Sequence, residues 1–184
     1  RAMGFTRHTA GTLVTEPDPA EGWHEELLHS DNSYLQGYWQ TERYFRAVAG
    51  EVREAFRFRL PLPQEEKTMA QQIQAGQSVS VHIRRGDYLK KRRREDYDVC
   101  TANYYRRAVS YIQQHVESSV FYVFSDEPAW GAQQGIFPQG TIFVTGHTGQ
   151  NAYLDMQLMS LCRHHIIANS SFSWWGAWLG QTDG

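Results

Sequence analysis

The sequence predicts an α/β fold, a Rossmann-like parallel sheet with flanking helices. Two observations lead to this prediction. From residue 61 onward, short apolar segments alternate with segments of helical periodicity, which is typical of βαβ units with right-handed crossovers. Polar clusters follow three of the apolar segments, and ligands of open parallel sheets bind beyond the carboxyl ends of the strands. A chain of 184 residues suffices for one such domain and part of a second.

Residues 1–60 are patterned more weakly than the rest. Glu21 to His29 is predicted as a short helix, and Thr41 as the N-cap of a longer one. The apolar face of that longer helix has spacings of three and four: Phe45, Val48, Val52 and Phe56. The segment Leu60–Pro63 contains two prolines, so it ends this helix, and we take it as a domain boundary.

Residues 61–184 contain the elements of the predicted sheet. Its four strand segments are either mainly apolar or alternate with period two: Val79–Ile83, Val120–Phe124, Thr141–Val144 and His165–Ala168. Three helical segments lie between or after the strands: Thr101 to Val116, Tyr153 to Leu161, and Ser170 to Leu179.

Composition and charge exclude several classes of protein. The hydrophobic fraction of 41% and the charged fraction of 21% are typical of a soluble globular domain. A net charge of −2 gives no whole-chain electrostatic case for binding nucleic acid. No apolar run has the length of a membrane span or of a signal core. Two cysteines, Cys100 and Cys162, define no disulfide framework.

Arg84, Arg85 and Gly86 follow the first strand of the sheet and suit a phosphate site. Guanidinium groups bind phosphate oxygens in bidentate fashion, and a glycine lets the backbone approach closely. Two alternatives stay open, a surface ion pair with Asp87 and a cell-adhesion tripeptide formed by residues 85–87. The basic run Lys90–Arg94 has the composition of a nucleic-acid patch or a localisation signal, but neighbouring acidic residues offset it. We interpret it as a solvated loop that adds positive potential beside a bound anion.

Two further polar clusters follow later strands. Ser125 and Asp126 come directly after the second strand. Asn169, Ser170 and Ser171 lie at the last strand-to-helix junction, where backbone N–H groups and hydroxyls can bind a phosphate. Simple N-capping of the last helix is an alternative for Ser170 or Ser171, and it is compatible with phosphate binding.

Asp155 stands near the start of the helix predicted from Tyr153 to Leu161. It either stabilises the first helical turn or binds a guanine base, whose N1–H and N2 amino group one carboxylate can accept together. The sequence predicts no metal site. Cys162, His164 and His165 do not form one, because successive residues of a strand point to opposite faces.

On these motifs the chain resembles the bacterial galactoside α-1,2-fucosyltransferases. The matching stretches are YLQGYWQTERYFR from Tyr34, HIRRGDYLK from His82, FSDEPAW from Phe124 and DMQLMSLCRHHIIANSSFSWWGAWL from Asp155. The resemblance implies an inverting enzyme of the GT-B type, with two Rossmann-like domains. Such an enzyme transfers L-fucose from GDP-β-L-fucose to the 2-hydroxyl of a terminal galactoside and needs neither a metal nor another cofactor.

The resemblance also implies roles for individual residues. The implied catalytic residues are Arg84, Arg85, Asp87 and Glu95. The implied donor-binding residues are His82, Ser125, Asp126, Asp155, Asn169, Ser170 and Ser171. The two arginines would hold the diphosphate, and Asp155 would bind guanine. In the related α-1,6 enzymes, a glutamate acts as the catalytic base. Arg92 occupies about that position here, so Glu95 or Asp96 is the expected base.

The implied partners are GDP-fucose and a galactose-terminated glycan, and no nucleic acid. The implied location is the bacterial cytoplasm, with peripheral association of the full-length parent with the inner face of the membrane. Two alternatives to this function stay open. One is a fucosyltransferase of another linkage, and the other is a non-catalytic module that binds a nucleotide or a carbohydrate.

Two departures from the family pattern predict a fragment. The family's N-terminal segment of the form GGLGNQ is missing, and the chain stops soon after Leu179. Residues 1–60 would then be a remnant of the acceptor-side domain with the interdomain linker. Residues 61–184 would be the GDP-fucose-binding Rossmann-like domain, truncated at its C-terminus.

Overall fold

The computed structural model describes residues 11–17, 23–25, 27, 32–90 and 100–180. The chain divides into two compact units between Arg57 and Phe58. The short helix predicted from Glu21 to His29 lies mostly outside the described residues. Within the described ranges, no helix is long and apolar enough to cross a membrane.

The first unit contains a two-stranded parallel sheet, formed by β1 (Thr12–Thr15) and β2 (Ser33–Gln36). The carboxylate of Glu16, next after β1, accepts hydrogen bonds from the backbone N–H groups of Tyr38 (2.6 Å) and Trp39 (2.8 Å). Trp39 has a left-handed φ of 51°, an uncommon conformation for a residue with a side chain. The two bonds to Glu16 hold the backbone in this conformation.

The longer helix predicted from Thr41 is broken into three pieces. Two 3-10 turns come first, Glu42–Tyr44 and Arg46–Val48, and helix α1 spans Ala49–Ala55. The hydroxyl oxygen of Thr41 accepts from the N–H of Arg43 at 3.4 Å, so Thr41 is a cap as predicted. None of the three pieces contains a buried residue. Packing therefore does not supply the stabilisation that a continuous helix needs.

The second unit alternates strands and helices along the chain. Its strands are β3 (Gln77–Ile83), β4 (Ser119–Ser125), β5 (Ile142–Val144) and β6 (His164–Ile166). Its helices are α2 (Gln64–Ala75), α3 (Ala102–His115), α4 (Pro128–Gln133), α5 (Ala152–Ser160) and α6 (Ser171–Gly180). The four predicted strands and three predicted helices are present, with small differences at their ends.

Helices α2 and α4 were not predicted. Helix α2 buries only Ala70 and Ile73, so its apolar pattern is too sparse to show a helical period. Helix α4 is short, buries only Gly131, and begins at Pro128, a residue suited to the first helical turn.

All four strands of the second unit run parallel, in the order β5-β4-β3-β6. This arrangement confirms the predicted Rossmann-like α/β fold. It corresponds to the 3-2-1-4 order of the Rossmann fold when the strands are numbered within the sheet. The chain crosses from β5 at one edge to β6 at the other, so the direction of winding reverses between β3 and β6. Sheets of this kind bind ligands in the crevice at that reversal.

The two faces of the sheet have separate cores. On one face, Val79, Val81 and Ile83 of β3 pack against Tyr105 and Val109 of α3. The core on the opposite face combines side chains of α2, β4, β5 and α5 with one cysteine: Ala70, Ile73, Tyr122, Phe124, Val144, Leu158, Met159 and Cys162. Because the strands are parallel, the polar residues that follow them lie together at the carboxyl edge of the sheet, beyond the two packed faces.

Candidate functional site

The segments that follow β3 and β6 border the crevice at the reversal of the sheet. Two tyrosine hydroxyls donate hydrogen bonds to the backbone of the segment after β6. Tyr88 donates to the carbonyl oxygen of Asn169 at 2.9 Å, and Tyr104 donates to the carbonyl oxygen of Ile167 at 2.7 Å. Tyr88 belongs to the segment after β3, and Tyr104 belongs to α3. The Tyr88 bond therefore joins the two segments that border the crevice, and the Tyr104 bond holds the segment after β6 against α3.

Arg84 is the first residue after β3, and its guanidinium group lies between two carboxylates. Nη2 is 2.7 Å from Oδ1 of Asp87, and Nη1 is 3.2 Å from Oδ2 of Asp126. The ion pair that the sequence offered as an alternative is thus present, and Asp126 extends it. A guanidinium group has five N–H donors, so two carboxylate contacts are compatible with a further contact to an anion.

Arg85 packs on the core that contains Val81. Its guanidinium carbon lies 4.1 Å from the centre of the Trp130 ring, and its Nε is 3.5 Å from Oε2 of Glu127. Only 13% of the side chain is exposed. The backbone N–H of Arg85 donates to Oδ1 of Asp126 at 3.0 Å. The two arginines therefore point in different directions, and the Asp126 carboxylate contacts both residues.

The turn after β4 supports the arginine segment. The hydroxyl oxygen of Ser125 accepts from the N–H of Glu127 at 2.9 Å, which orders the turn that presents Asp126. A Cβ atom added at Gly86 would lie 2.9 Å from Oδ2 of Asp126. The glycine therefore allows the close approach of the two segments. Roles of Ser125 and Asp126 in binding a donor stay predictions.

His82 lies near the end of β3 and is 6% exposed. Its ring lies 5.5 Å from the ring of Phe172 in α6, and its Nδ1 has no hydrogen-bond partner among the described residues. Burial, together with the positive charge of Arg84, lowers the pKa of His82 to about 4. The ring is therefore neutral near pH 7. A buried polar atom without a partner calls for an explanation, and a bound ligand would supply one.

The junction between β6 and α6 is a capped helix start. The hydroxyl oxygen of Ser170 accepts from the N–H of Phe172 at 3.3 Å, and its carbonyl oxygen accepts from the N–H of Trp174 at 3.1 Å. Asn169 and Ser171 are exposed beside this cap. The predicted N-capping is confirmed for Ser170. Phosphate binding by Asn169, Ser170 and Ser171 stays a prediction that the helix start favours.

Asp155 lies in the first turn of α5 and contacts a histidine that the sequence did not single out. Its Oδ1 is 2.6 Å from Nδ1 of His147, and Nε2 of the same ring is 3.0 Å from Oε1 of Glu66 in α2. Burial raises the pKa of Asp155, while the hydrogen bond to His147 opposes that rise. Burial also lowers the pKa of His147, but the hydrogen bonds and charges of Asp155 and Glu66 outweigh it, so the net change is upward.

The structure brings most of the predicted site residues to the carboxyl edge of one sheet. Those at or beside the crevice are His82, Arg84, Arg85, Asp87, Ser125, Asp126, Asn169, Ser170 and Ser171. Asp155 follows β5 at the same edge. Glu95 lies outside the described residues, as does the basic run from residue 91 onward. In the part of the chain that is described, no group of three or more His, Cys, Asp or Glu residues is arranged to hold a metal ion.

Sequence reasoning did not select Glu66 and His147. They are 81 positions apart, so no local spacing connects them. The local sequence marks the position of His147 only through the two glycines that flank it. Gly146 (φ 99°) and Gly149 (φ 57°) both have left-handed backbones, which shape the loop between β5 and α5.

Comparison with protein families gives one match over most of the chain. The family model described as glycosyl transferase family 11 matches residues 25–184. No solved structure matches the chain.

Curated relatives come from bacteria and from primates. An alpha-1,2-colitosyltransferase of Escherichia coli is 40% identical over 152 residues, which are 80% of this chain and 51% of that protein. The O-antigen biosynthesis glycosyltransferase WbnK of Escherichia coli is 39% identical over 104 residues, 55% of this chain and 34% of that protein. A galactoside alpha-(1,2)-fucosyltransferase 1 of Leontocebus fuscicollis is 27% identical over 96% of this chain and 54% of that protein. The chain spans about half the length of the relatives that it matches most fully.

Proposed function

The chain belongs to glycosyl transferase family 11, and from this membership we propose a function for the whole protein. It transfers L-fucose from GDP-β-L-fucose to the 2-hydroxyl of a terminal galactoside, with inversion at the anomeric carbon. The names of two relatives support a 1,2-linked transfer, because one is a 1,2-colitosyltransferase and the other a galactoside 1,2-fucosyltransferase.

The observation that carries the proposal is the position of Arg84. It is the first residue after β3, beside the reversal of the sheet between β3 and β6, where nucleotide-binding sheets of this order hold their ligands. Its guanidinium group is already oriented by Asp87 and Asp126. An oriented arginine at this edge suits a diphosphate, because its planar fork matches two phosphate oxygens.

The other predicted residues complete a site for the donor. The capped start of α6, with Ser170 and Ser171, offers backbone N–H groups and a positive helix end to the diphosphate. The Nδ1 atom of His82 gains a partner when the nucleotide enters the crevice. Asp155 accepts from N1–H and the N2 amino group of guanine. This last contact selects guanine over bases that lack that pair of donors.

The transfer is a displacement in which GDP leaves as the acceptor oxygen attacks. The acceptor 2-hydroxyl loses its proton to a base, and its oxygen bonds to the anomeric carbon from the side opposite GDP. The bond from that carbon to the β-phosphate oxygen breaks, and its electron pair stays on GDP. Arg84 stabilises this developing negative charge. Arg85, whose guanidinium group points in another direction onto Trp130, adds positive charge to the same segment. Glu95 or Asp96 is the proposed base.

The proposal extends to the arrangement of the whole enzyme. Residues 61–184 are the donor-binding half of a GT-B enzyme, and residues 1–60 belong to the acceptor-side half and the linker. The reaction needs no metal, because Arg84 and the helix start supply the positive charge that a divalent cation supplies elsewhere. The enzyme works in the cytoplasm, at the inner face of the membrane.

Transfer of fucose to a galactoside tests the proposal. The complete enzyme that contains this sequence is incubated with GDP-fucose and a panel of β-galactosides, and the product linkage is determined by NMR. We expect an α-1,2-linked fucosyl product. Absence of any fucosylated product across the panel contradicts the proposed activity, and a product of another linkage contradicts its regiochemistry.

A second sugar is favoured by one comparison. The relative at 40% identity is named for colitose, so the colitose donor linked to the same nucleotide belongs in the same assay. A kcat/KM for this donor that exceeds the value for GDP-fucose identifies the protein as a colitosyltransferase. The site for GDP is unchanged under this alternative, since the two donors differ only in the sugar.

A further inference from the structure

Three elements of the second unit meet at the ring of His147. Glu66 comes from the first turn of α2, Asp155 from the first turn of α5, and His147 from the loop that joins β5 to α5. The side chains are 13%, 19% and 7% exposed, in that order. Helix α2 runs back into β3, so its first turn lies at the carboxyl edge of the sheet, where the proposed donor site is.

The chemistry of this cluster determines where its protons are. Ionised carboxylates only accept hydrogen bonds, and a neutral imidazole has one donor nitrogen. His147 has a carboxylate oxygen at 2.6 Å from Nδ1 and another at 3.0 Å from Nε2. When both carboxylates are ionised, both contacts are hydrogen bonds from the ring only if both nitrogens carry a proton. The raised pKa of His147 favours this state, in which an imidazolium lies between two carboxylates.

We propose that His147, held by Glu66, is a positioning residue that orients the Asp155 carboxylate for recognition of the guanine base. This inference rests on the proposed function, because Asp155 needs to recognise guanine only if the sugar donor is linked to GDP. In the proposal, His147 itself does not contact the sugar nucleotide. Each carboxylate oxygen has more than one lone pair, so the Oδ1 that accepts from His147 can still accept from the base.

The geometry favours a positioning role over helix stabilisation alone. A carboxylate in a first helical turn is stabilised by the helix dipole without any histidine. Here the loop between the two left-handed glycines places a buried ring between two such carboxylates. Because the His147 ring is held at both nitrogens, it fixes the rotation of the Asp155 carboxylate. Recognition of two adjacent N–H groups on guanine requires a fixed rotation.

The test compares two nucleotides that differ by one group. Inosine diphosphate lacks the 2-amino group of GDP, so the ratio of its dissociation constant to that of GDP measures this contact. Calorimetry with the complete chain gives the ratio for the parent, Asp155→Asn, His147→Gln and the double variant. We expect the parent to prefer GDP by about tenfold or more, as for a hydrogen bond to a charged group. His147→Gln loses that preference to the same extent as Asp155→Asn, and the double variant loses nothing further.

The outcomes separate failure of this inference from failure of the guanine assignment. If Asp155→Asn loses the preference and His147→Gln keeps it, Asp155 binds guanine without the help of His147, and the inference is wrong. If Asp155→Asn keeps the preference, the assignment of Asp155 is wrong and the inference falls with it. His115→Gln makes the same replacement at an exposed helix end and should leave the ratio at the parental value.

A second variant covers poor folding of His147→Gln. Glu66→Gln keeps the shape of the side chain and an acceptor oxygen but removes one charge from the cluster. It should lower the preference for GDP by a smaller factor than His147→Gln. It should also shift the imidazole nitrogen NMR signals of His147 toward the neutral form. A parental ratio and unshifted signals in Glu66→Gln would overturn the proposal.

Discussion

Arg84 shows how ion pairs can orient a residue that we propose as a ligand-binding group. Its contacts to Asp87 and Asp126 fix the plane of the guanidinium group without burying it, since 36% of the side chain remains exposed. A flexible arginine would lose side-chain entropy on binding a diphosphate, and an oriented one has already lost it. Arg85 is held differently, on the ring of Trp130.

Replacement of Arg84 by lysine should lower kcat at saturating donor. An ammonium group keeps the charge but loses the bidentate fork that strengthens its hold as negative charge develops on GDP. Loss of one such donor costs about 10²- to 10³-fold in rate. Steady-state kinetics of the complete enzyme, with Tm measured alongside, provides the test. Arg85→Lys should lower Tm as well as kcat, because it also loses the stacking on Trp130.

Arg106→Lys is the matched control for Arg84→Lys. Arg106 is exposed on α3 and bonds to Asn103, so kcat should stay at the parental value. A folded Arg84→Lys variant with parental kcat, or a fall in kcat that only follows a fall in Tm, would mean that Arg84 is structural.

Preference for GDP over inosine diphosphate should depend on pH through His147. The groups that face its ring are Glu66 from α2 and Asp155 from α5, and their bonds hold the pKa of His147 above the ordinary value of 6.5. A group whose pKa is raised on folding stabilises the structure fully below the unfolded value, and that contribution is lost as pH rises through the folded value. The preference should therefore decline on the alkaline side of the raised pKa of His147.

The acidic side of the same profile belongs to Asp155. Burial raises its pKa, so Asp155 takes up a proton at a higher pH than an exposed aspartate and then loses an acceptor. Calorimetric titrations of both nucleotides across the pH range measure both limbs. In His147→Gln the alkaline decline should vanish. An alkaline limb that is identical in this variant and in the parent would show that another group causes it.

At the scale of elements, two glycines allow α5 and α6 to pack closely. A Cβ atom added at Gly180 would lie 2.5 Å from the backbone carbonyl oxygen of Ser160. A Cβ atom added at Gly176 would lie 2.9 Å from the terminal methyl group of Met159. The two glycines are one helical turn apart, so they lie on the same face of α6. This contact sets the position of the helix whose start borders the crevice.

Gly180→Ala should destabilise the second unit more than Gly176→Ala. The backbone of Ser160 cannot move without moving α5, whereas the end of Met159 can change rotamer. Overpacking of this kind costs about 1–3 kcal/mol, and we expect Gly180→Ala to lie in that range and Gly176→Ala below it. Urea unfolding of both variants, followed by circular dichroism, gives the difference. Equal stabilities of the two alanine variants would contradict the close approach at Gly180.

The elements that the sequence predicted are those whose side chains repeat regularly. Val79, Val81 and Ile83 are buried on one face of β3, and this period of two is visible in the sequence. The helix from Thr41 was predicted too long, because Val48 and Phe56 have helical spacing but remain exposed. Apolar spacing predicts a helix only where something covers the apolar face.

The candidate site divides in the same way. Arg84 and Ser170 were predicted because strand ends of a parallel sheet share one edge, so their position follows from order along the chain. The cluster of Glu66, His147 and Asp155 was not predicted, because it depends on where α2 lies against the sheet. Contacts between distant elements are properties of packing, and a single sequence contains no spacing that reveals them.

At the scale of the whole molecule, the net charge is small, but charged side chains of both signs are concentrated at one edge of the sheet. The net charge is only −2, yet the carboxyl edge of one sheet holds the arginine pair beside Asp87, Asp126 and Glu127. An anionic ligand at this edge meets two arginines whose charges are offset by three carboxylates, and the molecule as a whole does not attract it strongly. Affinity for GDP should therefore come from local contacts.

GDP should bind to this chain without a divalent ion. The proposed contacts to phosphate and base lie between residues 82 and 171, within one unit. In the proposed site, Arg84 and the start of α6 provide the positive charge that faces the diphosphate. Calorimetry in EDTA should give the same dissociation constant as calorimetry with Mg²⁺ or Mn²⁺. Binding that appears only after the metal ion is restored would overturn the metal-free mechanism.

The pairing of β3 with β6 also constrains the order in which the polypeptide acquires its structure. Ser80 and His165, bonded at 2.8 Å, are 85 positions apart, and β6 pairs with β3 over only three residues. Closing a loop of this length costs chain entropy, and a ladder of three residue pairs offsets little of that cost. During synthesis from the N-terminus, β3 and β4 can pair well before β6 leaves the ribosome. We therefore expect the crevice between β3 and β6 to form only after β3 has paired with β4, so the proposed nucleotide site arises late in the folding of the nascent chain.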